Sequence, residues 1–200
     1  MIPIREAIRR IRTAVHDEEQ RINYTDAEIL NALNAGLRVL RRTIADIQPE
    51  ILMTARTFEL AAGEDEIQLP SRPLMILDVT AGKFKLLETN LQHVREKPLT
   101  GRPKYFYRTG LQSLKIYPPP RVETALTVRL VEDLAEMALE DETPLLNEFD
   151  DFLLEYAIWR LSLTEEFDMT QEQQLIANIH QQIASLLAPP PFGAVLRGYW

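Results

Sequence analysis

The sequence predicts an α+β fold, with a helical core of two N-terminal and two C-terminal helices, an inserted small antiparallel β-domain and an extended C-terminal arm. Apolar residues recur at helical spacing near both ends of the 200-residue chain, and alternating segments bounded by turn residues occupy its middle. A proline run then precedes the apolar, aromatic end of the chain, and neither a helix nor a sheet can continue through these prolines. We expect N-terminal core helices, a β-rich module, C-terminal core helices and an arm, over residues 1–52, 53–131, 132–188 and 189–200.

Two amphipathic helices are expected at the start of the chain. The first is predicted over residues 3–19 from the spacing of Ile4, Ile8, Ile11 and Val15, with arginines between them. Thr25, with Glu28 three residues later, forms a capping box that begins the second helix. Its apolar stripe ends before Pro49, so two helices joined by a short turn are predicted.

The middle of the chain is predicted to be a small β-module. Thr109-Gly110 indicates a hairpin, and the strand that reaches Tyr117 must stop at Pro118-Pro119-Pro120, because proline has no N–H for the sheet ladder. A helical turn is expected over 88–95. Strands are expected over 53–60, 66–69, 73–80, 84–87, 105–108, 111–117 and 122–130, the last of which closes the sheet.

The last third is predicted to be acidic and helical. Residues 132–144 are an acidic connector, with some helix expected in it. A helix capped by Asn147 and running to about Glu166 is expected to turn Trp159 inward or sideways, and another runs from Thr170 to about Leu187. The tail 189–200 combines prolines with aromatic residues of the kind that anchor protein interfaces. It is expected to dock on a partner, with packing on its own domain as the alternative.

Composition limits the function classes. The chain has no cysteine, which excludes disulfides, thiolate catalysis and cysteine-based metal sites. No apolar run approaches the ~18 residues of a membrane span, and no secretory signal begins the sequence, so a soluble protein is expected. The net charge of −8 argues against a general nucleic-acid binder.

No catalytic, cofactor or metal residues are predicted. His16, His93 and His180 lie on different predicted elements without a metal-binding spacing, and no phosphate-binding or nucleophile motif occurs. The carboxylate pair Asp150-Asp151 is more readily interpreted as part of a solvated face than as a divalent-cation site. The same holds for the pairs 141–142 and 165–166. The sequence therefore predicts a protein that is not an enzyme.

Charge is unevenly distributed along the chain. Residues 1–42 carry eight arginines against six carboxylates, whereas 132–168 carry thirteen carboxylates against Arg160 alone. Such polarity suits head-to-tail stacking of copies or a channel lined with one sign of charge, and plain solvation of two helical faces is the alternative. The arginine clusters also allow a second hypothesis, that the chain is a small DNA-binding or packaging-accessory protein that uses its N-terminal helix. The candidate subunit-interface or lumen residues are Arg9, Arg10, Arg12, Arg41, Arg42, Asp150 and Asp151.

The order of elements resembles the head-to-tail adaptor (neck) proteins of short-tailed phages, the tail tubular protein A-like group. The segments that carry this resemblance are Ala27–Leu40, Ile67–Pro70, Leu77–Thr80, the strand that ends at Tyr117–Pro120, and the Asn147–Leu163 helix.

This resemblance implies a structural virion protein without cofactor or enzymatic activity. It implies a homo-oligomeric ring of twelve under the portal protein, tail nozzle or tail fibre proteins docked below, and genomic DNA passing through the lumen without sequence-specific binding. It implies assembly in the host cytoplasm and no membrane partner. The arm supplies the portal-interface candidates Pro189, Pro190, Pro191, Phe192, Val195, Leu196, Arg197, Tyr199 and Trp200.

Overall fold

A computed structural model describes residues 2–17, 23–90, 100–133, 136–144, 149–162 and 169–188 of the chain. Its α-helices are α1 (Ile4–Ala14), α2 (Asp26–Ile47), α3 (Asp150–Ser162) and α4 (Met169–Leu187). Its strands are β1 (Met53–Leu60), β2 (Glu66–Gln68), β3 (Pro73–Ala81), β4 (Phe84–Lys85), β5 (Leu87–Glu88), β6 (Tyr105–Arg108), β7 (Ser113–Tyr117) and β8 (Thr124–Glu132). The predicted α+β fold is confirmed.

The chain forms two compact units. The helical unit comprises Met1–Gln48 and Ala135–Trp200, and the β unit comprises Pro49–Leu134, which begins with a 3-10 helix over Pro49–Leu52. The N-terminal and C-terminal helices therefore belong to one unit. The chain leaves this unit after Gln48, forms the β unit and then returns to the helical unit.

Helix α2 lies at the centre of the helical unit and packs against α1, α3 and α4. The predicted capping box at its start is confirmed, because Thr25 Oγ1 accepts a hydrogen bond from the Glu28 N–H at 3.2 Å and the Glu28 carboxylate accepts one from the Thr25 N–H at 2.7 Å. These bonds lower the pKa of Glu28. The buried stripe of α2 includes Ile29, Leu33, Leu37, Leu40 and Ile44.

Helix α1 ends at Ala14, five residues earlier than predicted. His16 has a φ of 56°, the left-handed conformation that glycine usually supplies at this position. The His16 N–H bonds to the Thr13 carbonyl and the Asp17 N–H bonds to the Arg12 carbonyl, at 3.3 and 3.0 Å. This pair of bonds is a Schellman motif, which ends the helix without a glycine that the sequence could reveal.

The β unit contains two four-stranded sheets, with strand orders β1-β8-β3-β4 and β2-β7-β6-β5. The prediction of one sheet that β8 closes is wrong. The segment expected as a single strand over 84–87 is divided between them, since β4 pairs with β3 and β5 pairs with β6 in parallel. Leu86, at the division, is buried in the core that both sheets share with Leu60, Ile67, Val79, Phe106, Leu114, Ile116, Leu126 and Val128.

The hairpin predicted at Thr109-Gly110 is confirmed, because β6 and β7 are antiparallel neighbours. Strand β7 ends at Tyr117, as the following prolines require, and the Tyr117–Pro118 peptide bond is cis. Each of the other predicted strands has a counterpart whose ends lie within a few residues of the prediction.

Of the predicted acidic connector, Glu132 ends β8, and residues 136–144 contain a turn at 139–140 and an isolated bridge between Glu142 and Pro3. The helical content predicted for the connector is not found in the residues of it that the structure describes. The connector pairs with the start of the chain instead: Ile4 donates its N–H to the Asp141 carbonyl, and Thr143 donates its N–H to the Ile2 carbonyl, both at 3.0 Å. The helical turn predicted over 88–95 lies largely outside the described residues, apart from β5, and the Asn147 cap lies wholly outside them.

Candidate functional site

The exposed side of α1 carries Arg5, Arg9 and Arg10, all of them paired. The Glu6 carboxylate accepts hydrogen bonds from the Nε atoms of Arg9 and Arg10 at 2.8 and 2.9 Å, and these bonds lower the pKa of Glu6 from 4.5 to about 2. Arg5 pairs with Glu140, whose hydrogen bond raises the pKa of the guanidinium. Because each of these arginines already has a carboxylate partner, the face has little charge to spare for phosphate groups.

Arg12 does not lie on a surface, contrary to the sequence interpretation, since only 6% of it is exposed. Its guanidinium donates to Asp17 Oδ2 at 2.7 Å and to Asp26 Oδ1 at 2.6 Å. Asp17 also accepts hydrogen bonds from the N–H groups of Asn23 and Tyr24, at 3.2 and 3.4 Å. We call this set the Arg12 clasp. It joins the end of α1 to the start of α2, so its role is structural.

An open cavity of about 560 Å³ lies beside the Arg12 clasp. Its lining has one carboxylate, on Asp26, which is engaged by Arg12. It therefore offers no free acid or base among the described lining residues, which are Arg5, Ile8, Arg9, Arg12, Thr13, Asp26 and Leu139.

The other predicted subunit-interface or lumen residues also include both buried and exposed side chains. Arg41 and Asp150 are buried, which is not the surface position that the sequence suggested, whereas Arg42 and Asp151 are exposed. Arg41 follows Leu37 by four residues and therefore shares the buried side of α2. The candidates that remain on the surface are Arg9, Arg10, Arg42 and Asp151.

Helix α3 presents an acidic and aromatic surface, which we call the α3 outer face. Asp151, Glu155 and Trp159 follow one another at four-residue intervals and so lie on one side of the helix. Trp159 is 46% exposed, and Phe152 and Ile158 beside it are half-buried. Neither Asp151 nor Glu155 forms an ion pair with any residue in the described ranges. The inward side is formed by Leu153, Leu154, Tyr156, Ala157 and Leu161, so Trp159 points outward.

The β unit carries a surface that the sequence analysis did not single out, made of Lys83, Phe84, Lys85, Leu87, Arg102 and Lys104, which we call the basic patch. The Arg102 guanidinium carbon lies 3.0 Å from the centre of the Phe84 ring. The Leu87 N–H donates to the Lys104 carbonyl at 2.9 Å, which brings the two segments together. Phe84 and Leu87 are 53% and 62% exposed.

The charges of the basic patch are not neutralised within the described chain. None of its three lysines has an ion-pair partner there, and the neighbouring Glu88 is engaged by Arg108 at 3.8 Å. The signal available in the sequence was four cations in the short segments 83–88 and 102–104 against one carboxylate.

The two units differ in net charge. By sequence, the helical unit has ten basic and nineteen acidic residues, for a net charge of −9. The β unit has twelve basic and eleven acidic residues, for a net charge of +1. The negative charge of the chain is therefore carried by the helical unit.

No group of three or more histidine or acidic side chains is arranged to hold a metal ion in the part of the chain that the structure describes. His16 and His180 are exposed, and His93 lies outside that part. Over the same ranges, none of the helices has the length and apolar character to cross a membrane. The portal-interface candidates of the arm, 189–200, all lie outside the described residues.

A family model described as SU10 adaptor protein matches residues 3–188, which include every described helix and strand. No curated protein matches the chain.

Proposed function

Because this chain belongs to the SU10 adaptor protein family, a family of phage head–tail adaptors, we propose that it joins the portal protein to the tail in the virion of a short-tailed phage. The family is a structural one and not an enzyme family. The observation that carries the proposal is the extent of the match, which runs through both units from residue 3 to residue 188.

We propose that the chain works as a ring of twelve copies around a lumen through which the genomic DNA passes. Two surfaces of opposite charge on one subunit support this arrangement, since a contact between different surfaces of successive copies closes into a ring when the rotation allows it. The net charge of −9 on the helical unit also supports it, because an acidic surface along a DNA channel limits sticking of the phosphate backbone. Tail nozzle or tail fibre proteins then dock on the other side of the ring, and assembly takes place in the host cytoplasm.

A DNA-binding accessory role for the N-terminal helix is the weaker proposal. The described contacts give Arg5, Arg9 and Arg10 carboxylate partners and bury Arg12 in the clasp. The carboxylate partners compete with phosphate groups for these cations, so the geometry favours the adaptor.

The arm is proposed as the contact with the portal. Its prolines limit the conformations of the free chain, so less entropy is lost when the aromatic residues dock. We expect deletion of residues 189–200 to abolish co-sedimentation of the purified protein with capsids that carry a portal, while the far-UV circular dichroism and the unfolding midpoint stay unchanged.

A second variant keeps the arm at full length and replaces Phe192, Tyr199 and Trp200 with serine. It should lose binding in the same way if the aromatic side chains make the contact. Full binding of both variants would contradict the arm as the portal contact.

A further inference from the structure

We propose that neighbouring subunits contact each other through the basic patch of one copy and the α3 outer face of the next. This inference rests on the proposed function, because it supposes that copies of the chain assemble, and it assigns the two surfaces through which they do so. Both surfaces lie on the described part of the chain, one in the β unit and one in the helical unit.

The basic patch has the composition of a protein interface. Apolar and aromatic side chains with an arginine are typical of an interface centre, and lysines are typical of its rim. Phe84 and Leu87 are more than half exposed, with Arg102 stacked on the Phe84 ring. Lys83 and Lys85 flank Phe84 in the chain, Lys104 follows Arg102 by two residues, and all three lysines are exposed. An occupant of this surface must therefore supply both apolar side chains and negative charge.

The α3 outer face supplies both. Trp159 is exposed between half-buried apolar neighbours, and the carboxylates of Asp151 and Glu155 lie along the same side of the helix. These carboxylates and the three lysines of the basic patch make no ion pairs within the described chain. Pairing the two surfaces would cover the exposed rings and bring unlike charges together, which sets the register of the contact.

The same features argue against DNA as the occupant of the basic patch. The exposed Leu87 side chain gains nothing from a phosphate backbone, and the guanidinium of Arg102 already covers one face of the Phe84 ring, so that face cannot stack on a base. An acidic protein surface with apolar residues satisfies the whole patch, whereas a duplex satisfies its cations alone.

The chain has no cysteine, so two introduced thiols report directly on this contact. Lys85→Cys and Glu155→Cys are made in separate chains, mixed with portal-bearing capsids, treated with a short bismaleimide and resolved on a denaturing gel. A cross-linked dimer is expected in the mixture. Because each chain carries one thiol, the dimer has to join two copies.

Two control pairs use exposed positions away from the proposed contact. Lys85→Cys is mixed with Ala177→Cys on α4, and Glu155→Cys is mixed with Glu123→Cys in the β unit. A dimer no more abundant in the test pair than in these controls would overturn the inference.

A charge exchange gives an independent test. Lys83, Lys85 and Lys104 changed to glutamate, or Asp151 and Glu155 changed to lysine, should each cause loss of the higher oligomers that the wild type forms on capsids. The two sets combined in one chain should restore them. Oligomers that survive both separate sets would also overturn the inference.

Co-sedimentation with capsids in the same samples separates this inference from the proposed function. Capsid binding without a specific cross-link supports the proposed adaptor function and rejects the proposed contact between subunits. A specific cross-link without capsid binding supports the contact and rejects the adaptor. Absence of both rejects both.

Discussion

Replacing Arg12 with leucine should lower the free energy of unfolding by about 3–5 kcal/mol, because it removes a buried guanidinium that pairs with a buried carboxylate. Asp17 is only 3% exposed and loses the 2.7 Å hydrogen bond from Arg12, and the backbone N–H groups of Asn23 and Tyr24 that also bond to it carry no charge to replace the guanidinium. The link between the end of α1 and the start of α2 is lost with it. Urea unfolding followed by far-UV circular dichroism measures the change.

Arg10→Leu is the matched control for this variant. It removes an arginine from the same helix, but one whose ion pair with Glu6 is exposed to solvent, and exposed ion pairs contribute little to stability. Equal stability of the two variants would contradict the structural role of the Arg12 clasp.

Replacing Gly36 with valine is expected to lower the free energy of unfolding by about 1–3 kcal/mol, because it overpacks the contact between α2 and α3. A Cβ atom at this position would lie 2.9 Å from Tyr156 Cδ1 and 3.1 Å from Leu153 Cδ1. The Tyr156 ring is buried, and its hydroxyl accepts a hydrogen bond from Arg160 at 3.1 Å, so the ring does not yield easily. The same urea unfolding measures the effect.

The variant Gly36→Ala distinguishes the steric clash with α3 from the effect of helix propensity on stability. Alanine adds the Cβ alone and gains about 1 kcal/mol of helix propensity over glycine, so it should be clearly less damaging than valine. If both variants were more stable than the wild type, close approach of the two helices would not be the reason for the glycine.

Local signals in the sequence were sufficient for most elements. The start of α2 follows from the capping pair Thr25 and Glu28, and its end from Pro49, because both act within a few residues of the helix end. Strand β7 ends at Tyr117 for the same kind of reason. The end of α1 was predicted late because a histidine, and not a glycine, takes the left-handed position.

Pairing between distant segments could not be predicted in this way. The short segment around Leu86 has the alternation of a single strand, and nothing within it shows that its two halves join different sheets. Strand partners are decided by the shared core, which residues far apart in the sequence build together.

The candidate surfaces were predictable in part. Arg9, Arg10 and Arg12 look alike in the sequence, yet Arg12 is buried, because its two carboxylate partners arrive from the following turn and from α2. The outward position of Asp151 agrees with its choice as a surface candidate, whereas its neighbour Asp150 is buried. The basic patch was missed because its segments 83–87 and 102–104 are adjacent in space but not in the sequence.

The most direct test of the adaptor assignment is cryo-electron microscopy of portal-bearing capsids incubated with the full-length protein. We expect a ring of twelve copies on the portal axis, with an open lumen continuous with the portal channel. Capsids whose portals carry no added density, or added density that is not arranged as a ring around the channel, would contradict the adaptor assignment.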